Sequence, residues 1–358
     1  MSAMAGERPE AGAGAGAGAV QHRAGIAGAV QHRAGVAEAF TRMAACGDLD
    51  LPLPGGGRTR ARWESLTRWA QQDLSLARLV EGHTDAVAIL AELDAEGARD
   101  LPTGADGARW GVWAAEPPGY SLEARPAADG WRLFGVKPFC SGARVCTHAL
   151  VTAREGELRR LFALEVDQPG VEPLPDSWPG PGMAGSDTLD VNLDGVRAGP
   201  VGDPGAYLER PGFHHGGLGV AACWYGGARA VASTLLSASR KWDLDPHALA
   251  HLGAVDARLA AVEALLDCAA AAVDSDPLDH DGTAHLRTMR VRAAVEDAAA
   301  EVLVRVGRAL GATPLGHDAA HARAVADLTV YLRQHHAERD LAALGKAASA
   351  THLDWEDA

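Results

Sequence analysis

The sequence has no block of Lys and Arg: its 33 basic residues are scattered among 47 acidic ones, for a net charge of −14. That balance excludes a nucleic-acid or anionic-membrane surface as the main partner, since both would repel it. Cysteine is scarce too. Cys46, Cys140, Cys146, Cys223 and Cys268 are odd in number, widely spread and free of CxxC pairs. They suggest neither a disulfide framework nor a zinc cage, and they point to a reducing cytoplasm. No run of about 18 apolar residues occurs, and Arg229 interrupts the Gly/Ala-rich run near Leu218 to Leu236. The amino terminus carries no apolar segment after its few charges, so neither a membrane span nor secretion is expected. What is present is an ordinary 47% hydrophobic content over 358 residues, enough for two or three packed sub-domains.

Residues 1–38 hold a Gly/Ala tract and a repeat, GAVQHRAGIA at 18–27 followed by GAVQHRAGVA at 28–37. Two copies cannot stack into a solenoid, so the stretch reads as a disordered extension, with His22 and His32 incidental. LPLPGGGRT at 51–59 lacks the GK[ST] and the preceding strand of a phosphate loop, so Gly55 to Gly57 read as a connecting loop. Trp63 to Asp94 is helical in period, with Leu66, Trp69, Leu74, Leu79, Val80, Ile89 and Leu90 recurring at three- and four-residue spacing. Ser75 reads as a cap between two helices, and His83 as a polar-face residue or a ring facing a pocket.

From Arg109 the pattern changes to strands, at ARWGVWAAE, 131–137, 147–153, 158–166 and 188–193, with turn residues between them. After a Gly/Pro-rich transition, the chain from Leu218 is Ala-rich in helical period, broken near 243–247, 274–284 and 311–317. These patterns predict an α+β protein. A helical region over 39–108 precedes an antiparallel β-domain over 109–205 and a C-terminal four-helix bundle over 206–350, with a tail at 351–358.

The least generic stretch is DGWRLFGVKPFCSGARVCTHALVTA at 129–153. Two strands flank the small residues Cys140, Ser141, Gly142 and Ala143. Read alone it is either an ordinary hairpin or a turn that lets a planar ligand approach: Phe139 offers a ring to stack on, Ser141 a hydroxyl, and Gly142 room.

In this order, Lys137-Pro138-Phe139-Cys140-Ser141-Gly142, Ala115-Glu116-Pro117, Gly182-Met183 with Ser186, and Leu74-Ser75-Leu76-Ala77 followed by His83 resemble segments of the acyl-CoA dehydrogenase family of flavoproteins. The resemblance covers roughly residues 39 to 346. It implies that Phe139 lies against a flavin, that Ser141 hydrogen-bonds near its N5, and that Ala115, Glu116 and Gly142 belong to the same cofactor site. At the start of the bundle, Arg240 matches the arginine of that family's Arg-x-x-Phe-Gly pattern, but Trp242-Asp243 replace the expected Phe-Gly. Arg308 stands where a glycine turn meets the FAD pyrophosphate of a neighbouring subunit, here reduced to VGRALG. FAD is the implied cofactor, with FMN as the alternative. A homodimer or homotetramer through the bundle is also implied, as are a small-molecule or acyl-thioester substrate and an electron-transfer or flavin-reductase partner.

The family removes a substrate proton with a glutamate. The two positions that carry it correspond here to His335 and, within about two residues, His214. Three readings follow. His335 replaces the glutamate in an acyl-thioester oxidoreductase (the first choice). Alternatively, Ser141, His335 and His83 form the site of a flavin monooxygenase of the same fold, using reduced flavin and oxygen. In the third, the site is degenerate and the protein is a scaffold. His335, His336, Glu338 and Asp340 do not make a metal site, because adjacent residues leave a helix in different directions.

Overall fold

The computed structural model describes residues 14–93 and 107–350, so the predicted tail at 351–358 lies outside the described residues. Three helices open the chain: α1 at Gly14–Cys46, α2 at Thr59–Gln72 and α3 at Leu74–Glu92. The second repeat copy lies within α1, where composition predicts a disordered extension. Docking overrides the weak local signal: Val36, Phe40 and Met43, at helical spacing, are buried in the main core. His32 is not incidental either, since its Nε2 lies 2.6 Å from Asp73 Oδ2. The break between α2 and α3 is capped by Asp73, whose carboxylate accepts from the N–H of Leu76 at 2.9 Å. Ser75 sits inside the first turn of α3, so it is not the cap.

The loop at Gly55–Gly57 is closed by an acid from far along the chain. Asp274 accepts from the N–H of Gly57 at 3.0 Å, from the N–H of Thr59 at 3.0 Å and from the Thr59 hydroxyl at 2.6 Å. These donors hold a carboxylate of the protein itself, consistent with a connecting loop.

Strands β1 (Trp110–Trp113), β2 (Leu122–Ala127), β3 (Gly130–Cys140), β4 (His148–Glu155), β5 (Leu158–Glu165), β6 (Val171–Pro173) and β7 (Leu189–Val201) form one sheet. It runs β1-β4-β2-β3-β7-β5, with β6 on β7, and the further β4–β5 pairing closes a barrel-like ring. The sheet is mixed, whereas the sequence predicts an antiparallel one: β1 runs parallel to β4, and Glu123 of β2 pairs in parallel with Arg154. The chain enters the sheet from α3 through β1 and makes no hairpin with its neighbour, so the pair need not be antiparallel.

The remaining chain is helical: α4 (Ala206–Glu209), α5 (Pro211–Lys241), α6 (Pro246–Ser275), α7 (Ala284–Leu310), α8 (Thr313–His317), α9 (Ala319–Tyr331) and α10 (Glu338–Ser349). Short 3-10 turns lie at Ala184–Ser186 and Leu332–Gln334. Leu79 and Val80 of α3 enter the helical core, while Ala86, Ile89 and Leu90 pack on Trp110, Leu150 and Leu161 of the sheet. Helix α3 is therefore the wall shared by bundle and sheet. No described helix is long and apolar enough to cross a membrane.

Candidate functional site

The strand β3 is interrupted where the resemblance places the cofactor. Lys137 pairs with Val191 and Cys140 with Leu189, so Pro138 and Phe139 together face Asp190. This is a bulge, and Pro138 suits it because proline has no N–H to give the ladder. Phe139 takes φ 59, a left-handed conformation rare for a bulky residue; the residue is 47% exposed, with its ring edge-on to Trp178 at 6.0 Å. Asp190 holds the arrangement. One carboxylate oxygen accepts from the Phe139 N–H at 3.2 Å and the other from the Tyr120 hydroxyl at 3.1 Å. The Asp190 N–H in turn donates to Ser177 Oγ at 2.8 Å, next to Trp178. Sequence reasoning missed Tyr120, Trp178 and Asp190, which come together only through the bulge.

Beyond the bulge the chain turns sharply. Gly142 has φ +70, and a Cβ there would lie 2.6 Å from Cys146 Sγ and 3.1 Å from Leu79 of α3. Trp113 Nε1 donates to the Ser141 carbonyl at 3.0 Å. Gly142 and Ala143 donate their N–H groups to the carbonyls of Ser186 and Asp187 at 2.8 and 3.1 Å. The Asp187 carboxylate accepts from Arg144 Nε at 3.0 Å and lies 3.7 Å from Arg33 of α1. Three hydroxyls line up beneath this turn: Ser141 Oγ is 3.0 Å from Thr188 Oγ1, which is 2.8 Å from Ser186 Oγ. The Met183 N–H donates to Asp327 of α9 at 2.6 Å, tying the same loop to the bundle. Burial pushes the Asp327 carboxyl up to about 6, against the Met183 hydrogen bond that favours its charged form.

Helix α3 presents Arg78, Glu81 and Asp85 at three- and four-residue spacing along one face, toward α5 and α9. Arg78 pairs with Glu81, and both side chains are largely buried. Burial raises the Glu81 and Asp85 carboxyls despite the neighbouring arginines. Asp85 lies 4.0 Å from Arg210, and its Oδ1 has no hydrogen-bond partner. Gly216 of α5 leaves room for it, since a Cβ there would sit 2.7 Å from Asp85 Oδ1. The signal was in the sequence: three charges at three- and four-residue spacing on one stripe of a helix that is otherwise mostly apolar.

No family model matches the sequence, and no curated protein matches it. Solved structures do. KijD3, in complex with FMN and dTDP-3-amino-2,3,6-trideoxy-4-keto-3-methyl-D-glucose, is 22% identical over 94% of this chain and 94% of its own, with a TM-score of 0.73. Dibenzothiophene monooxygenase TdsC from Paenibacillus sp. A11-2 is 19% identical over 91% of this chain and 98% of its own, with a TM-score of 0.71. FkbI, described for biosynthesis of a methoxymalonyl extender unit, is 17% identical over 93% of this chain and 99% of its own, with a TM-score of 0.75. This chain has the acyl-CoA dehydrogenase-like fold.

Within that fold the remaining candidates separate. His83 of α3 is buried, its Nδ1 accepts the Trp110 N–H at 3.1 Å, and burial pulls its imidazole down to about 4. A neutral ring with one nitrogen already used joins α3 to β1. His335 follows the turn after α9 and is 3% exposed, edge-on to Trp224 of α5 at 6.4 Å and 3.9 Å from Glu296 of α7. Its Nδ1 has no hydrogen-bond partner. His214 packs at the start of α5 against His285, at a ring separation of 5.1 Å. Ala115 is half-buried after β1. Glu116 turns into the sheet, where it accepts from Thr152 Oγ1 at 2.8 Å, pairs with Arg159, and lies 3.7 Å from the buried Lys137. Arg240 and Arg308 are exposed near the ends of α5 and α7. Neither lines the adjacent cavity of about 560 Å³, which is bordered by Lys241, Trp242, Leu310, His317, His321 and Arg323. His336 sits 3.3 Å from Asp340 while His335 turns to Glu296, so the two histidines diverge.

Proposed function

We propose that this protein is a flavin-dependent oxidoreductase whose cofactor sits on the Phe139–Gly142 turn. The observation that carries the reading is the strained bulge that holds the Phe139 ring exposed beside Trp178, with Ser141 and Gly142 next in the chain. An exposed aromatic on a conformation that costs energy needs a compensating role, and stacking on a planar ring supplies one. A bound flavin would supply hydride or oxygen chemistry; the chain's residues bind and orient it. FMN is favoured over FAD, because two of the similar structures hold FMN and because the glycine turn that would meet the FAD pyrophosphate is reduced to VGRALG.

The monooxygenase reading is the better supported of the two enzyme readings. Arg78, Glu81 and Asp85 give the interior between α3 and α5 a charged character, which fits a polar substrate better than an acyl chain. The acyl-thioester reading keeps one specific observation, the unpartnered Nδ1 of His335 beside Glu296, but burial disfavours the protonated form of that ring. The resemblance's division into an N-terminal helical region, a β-domain and a C-terminal bundle goes with either reading. So do self-association through the bundle, where Trp242 is exposed, and a separate flavin reductase.

Titration of the protein with FMN and FAD, followed by absorbance and fluorescence, tests the cofactor. No binding of either would leave the scaffold reading. Anaerobic addition of acyl-CoAs then separates the enzymes: bleaching of the oxidised flavin band would favour acyl-thioester oxidation. A stable C4a-hydroperoxide, read by absorbance when the reduced, loaded protein meets oxygen, without such bleaching, would favour the monooxygenase.

A further inference from the structure

The hydroxyls of Ser141, Thr188 and Ser186 each carry one proton, and the direction of donation along them is set from one end. Ser186 Oγ donates to the Met183 carbonyl oxygen at 2.7 Å, an acceptor that has nothing to give back. With that proton committed, the 2.8 Å contact between Ser186 and Thr188 must be made by the Thr188 proton. The 3.0 Å contact between Thr188 and Ser141 must then be made by the Ser141 proton. Ser186 and Thr188 are both buried, which keeps water from reversing the order.

We infer that Ser141 presents only lone pairs to a ligand on the Phe139–Gly142 turn, and that Thr188 and Ser186 are positioning residues that set this polarity. The inference rests on the flavin reading and deepens it. N5 of an oxidised flavin is a hydrogen-bond acceptor and finds no donor in Ser141. N5 of a reduced flavin carries a hydrogen and finds an acceptor there. The site is therefore selective for reduced flavin, as an enzyme that receives its flavin already reduced requires.

The test compares Kd values of the full-length protein for oxidised FMN and for FMN reduced and titrated under argon. The wild type is expected to bind the reduced form roughly tenfold more tightly, the effect of one satisfied against one unsatisfied partner. Thr188→Val offers Ser141 no acceptor, frees its proton to donate, and brings the ratio of the two Kd values to about one or inverts it. Ser186→Ala removes the group that takes the Thr188 proton and is expected to act the same way by a separate route. Thr188→Ser keeps the relay and restores the wild-type ratio, which a purely structural role for Thr188 would not predict. A wild type that binds oxidised FMN as tightly as reduced, or a Thr188→Val or Ser186→Ala protein that keeps the wild-type ratio, overturns the polarity and leaves the flavin site standing. A wild type that binds neither form overturns both.

Discussion

The Asp190 carboxylate accepts the backbone N–H of Phe139 at 3.2 Å, across the one place in β3 where two residues face one. An acid from the opposite strand thus holds an aromatic in a backbone conformation it would not choose. Asp190→Ala should let the bulge relax and weaken FMN binding about five- to tenfold, the effect of one ordinary hydrogen bond. Asp190→Asn retains an oxygen to accept the N–H and should stay near wild type. A fluorescence titration reads both, and equal affinity of the alanine variant would show that the bulge is held by other contacts.

Gly142→Ala meets two obstacles together, the positive φ of +70 and a Cβ placed 2.6 Å from the buried Cys146 sulfur. A loss of about 1–3 kcal/mol in chemical denaturation is expected, because neither the strand turn nor α3 has space to yield. A variant as stable as the wild type would mean that Leu79 and Cys146 repack freely.

His83 gives an acid-side prediction. Its folded pKa, about 4, lies below the unfolded value of 6.5, so the unfolded chain takes up the proton first. The contribution is complete above pH 6.5 and is lost as pH falls toward 4, by about 3 kcal/mol in total. Urea denaturation at pH 7 and pH 4.5 should show a smaller drop for His83→Gln than for the wild type. Equal drops would indicate that another group governs the acid limb.

Asp327 runs in the opposite direction. Its carboxyl is raised from 3.8 to about 6, so the folded protein holds the proton more tightly than the unfolded chain. Stability is full below pH 3.8 and falls as pH rises through 6, by something on the order of 2–3 kcal/mol. Asp327→Asn keeps an oxygen for the Met183 N–H and removes the buried charge, so it should be more stable than the wild type at pH 7.5 and no more stable at pH 4. Destabilisation at pH 7.5 would refute this account.

Much of this was legible in the sequence, because the main elements are carried by local period. Strands at 131–137 and 158–166 appear at Gly130–Cys140 and Leu158–Glu165, and the breaks near 243–247 and 274–284 separate α5, α6 and α7. The Phe139–Ser141–Gly142 turn was legible for the same reason: its small residues are contiguous. Long-range relations were not. The acceptors that hold the turn, Thr188 and Asp190, are 47 and 51 residues away from their partners, and ordinary strand residues give no sign of what they will face. Counting spacings reached His335 but could not show that it packs against Trp224 and Glu296. Helix α1 was missed because its alanines and glycines carry little pattern, while what fixes it is the core it meets through Val36 and Phe40.

The closure of the glycine loop by Asp274 sets an order on assembly. Thr59 at the start of α2 is joined to an acid 215 residues later, near the end of α6. A chain emerging from the ribosome can form α2 and α3, and even the sheet, before that acid exists, but the N–H groups of Gly57 and Thr59 lack their carboxylate partner until α6 is made. The start of α2 must wait for the bundle, and a chain cut before α6 would leave that helix frayed at its first turn.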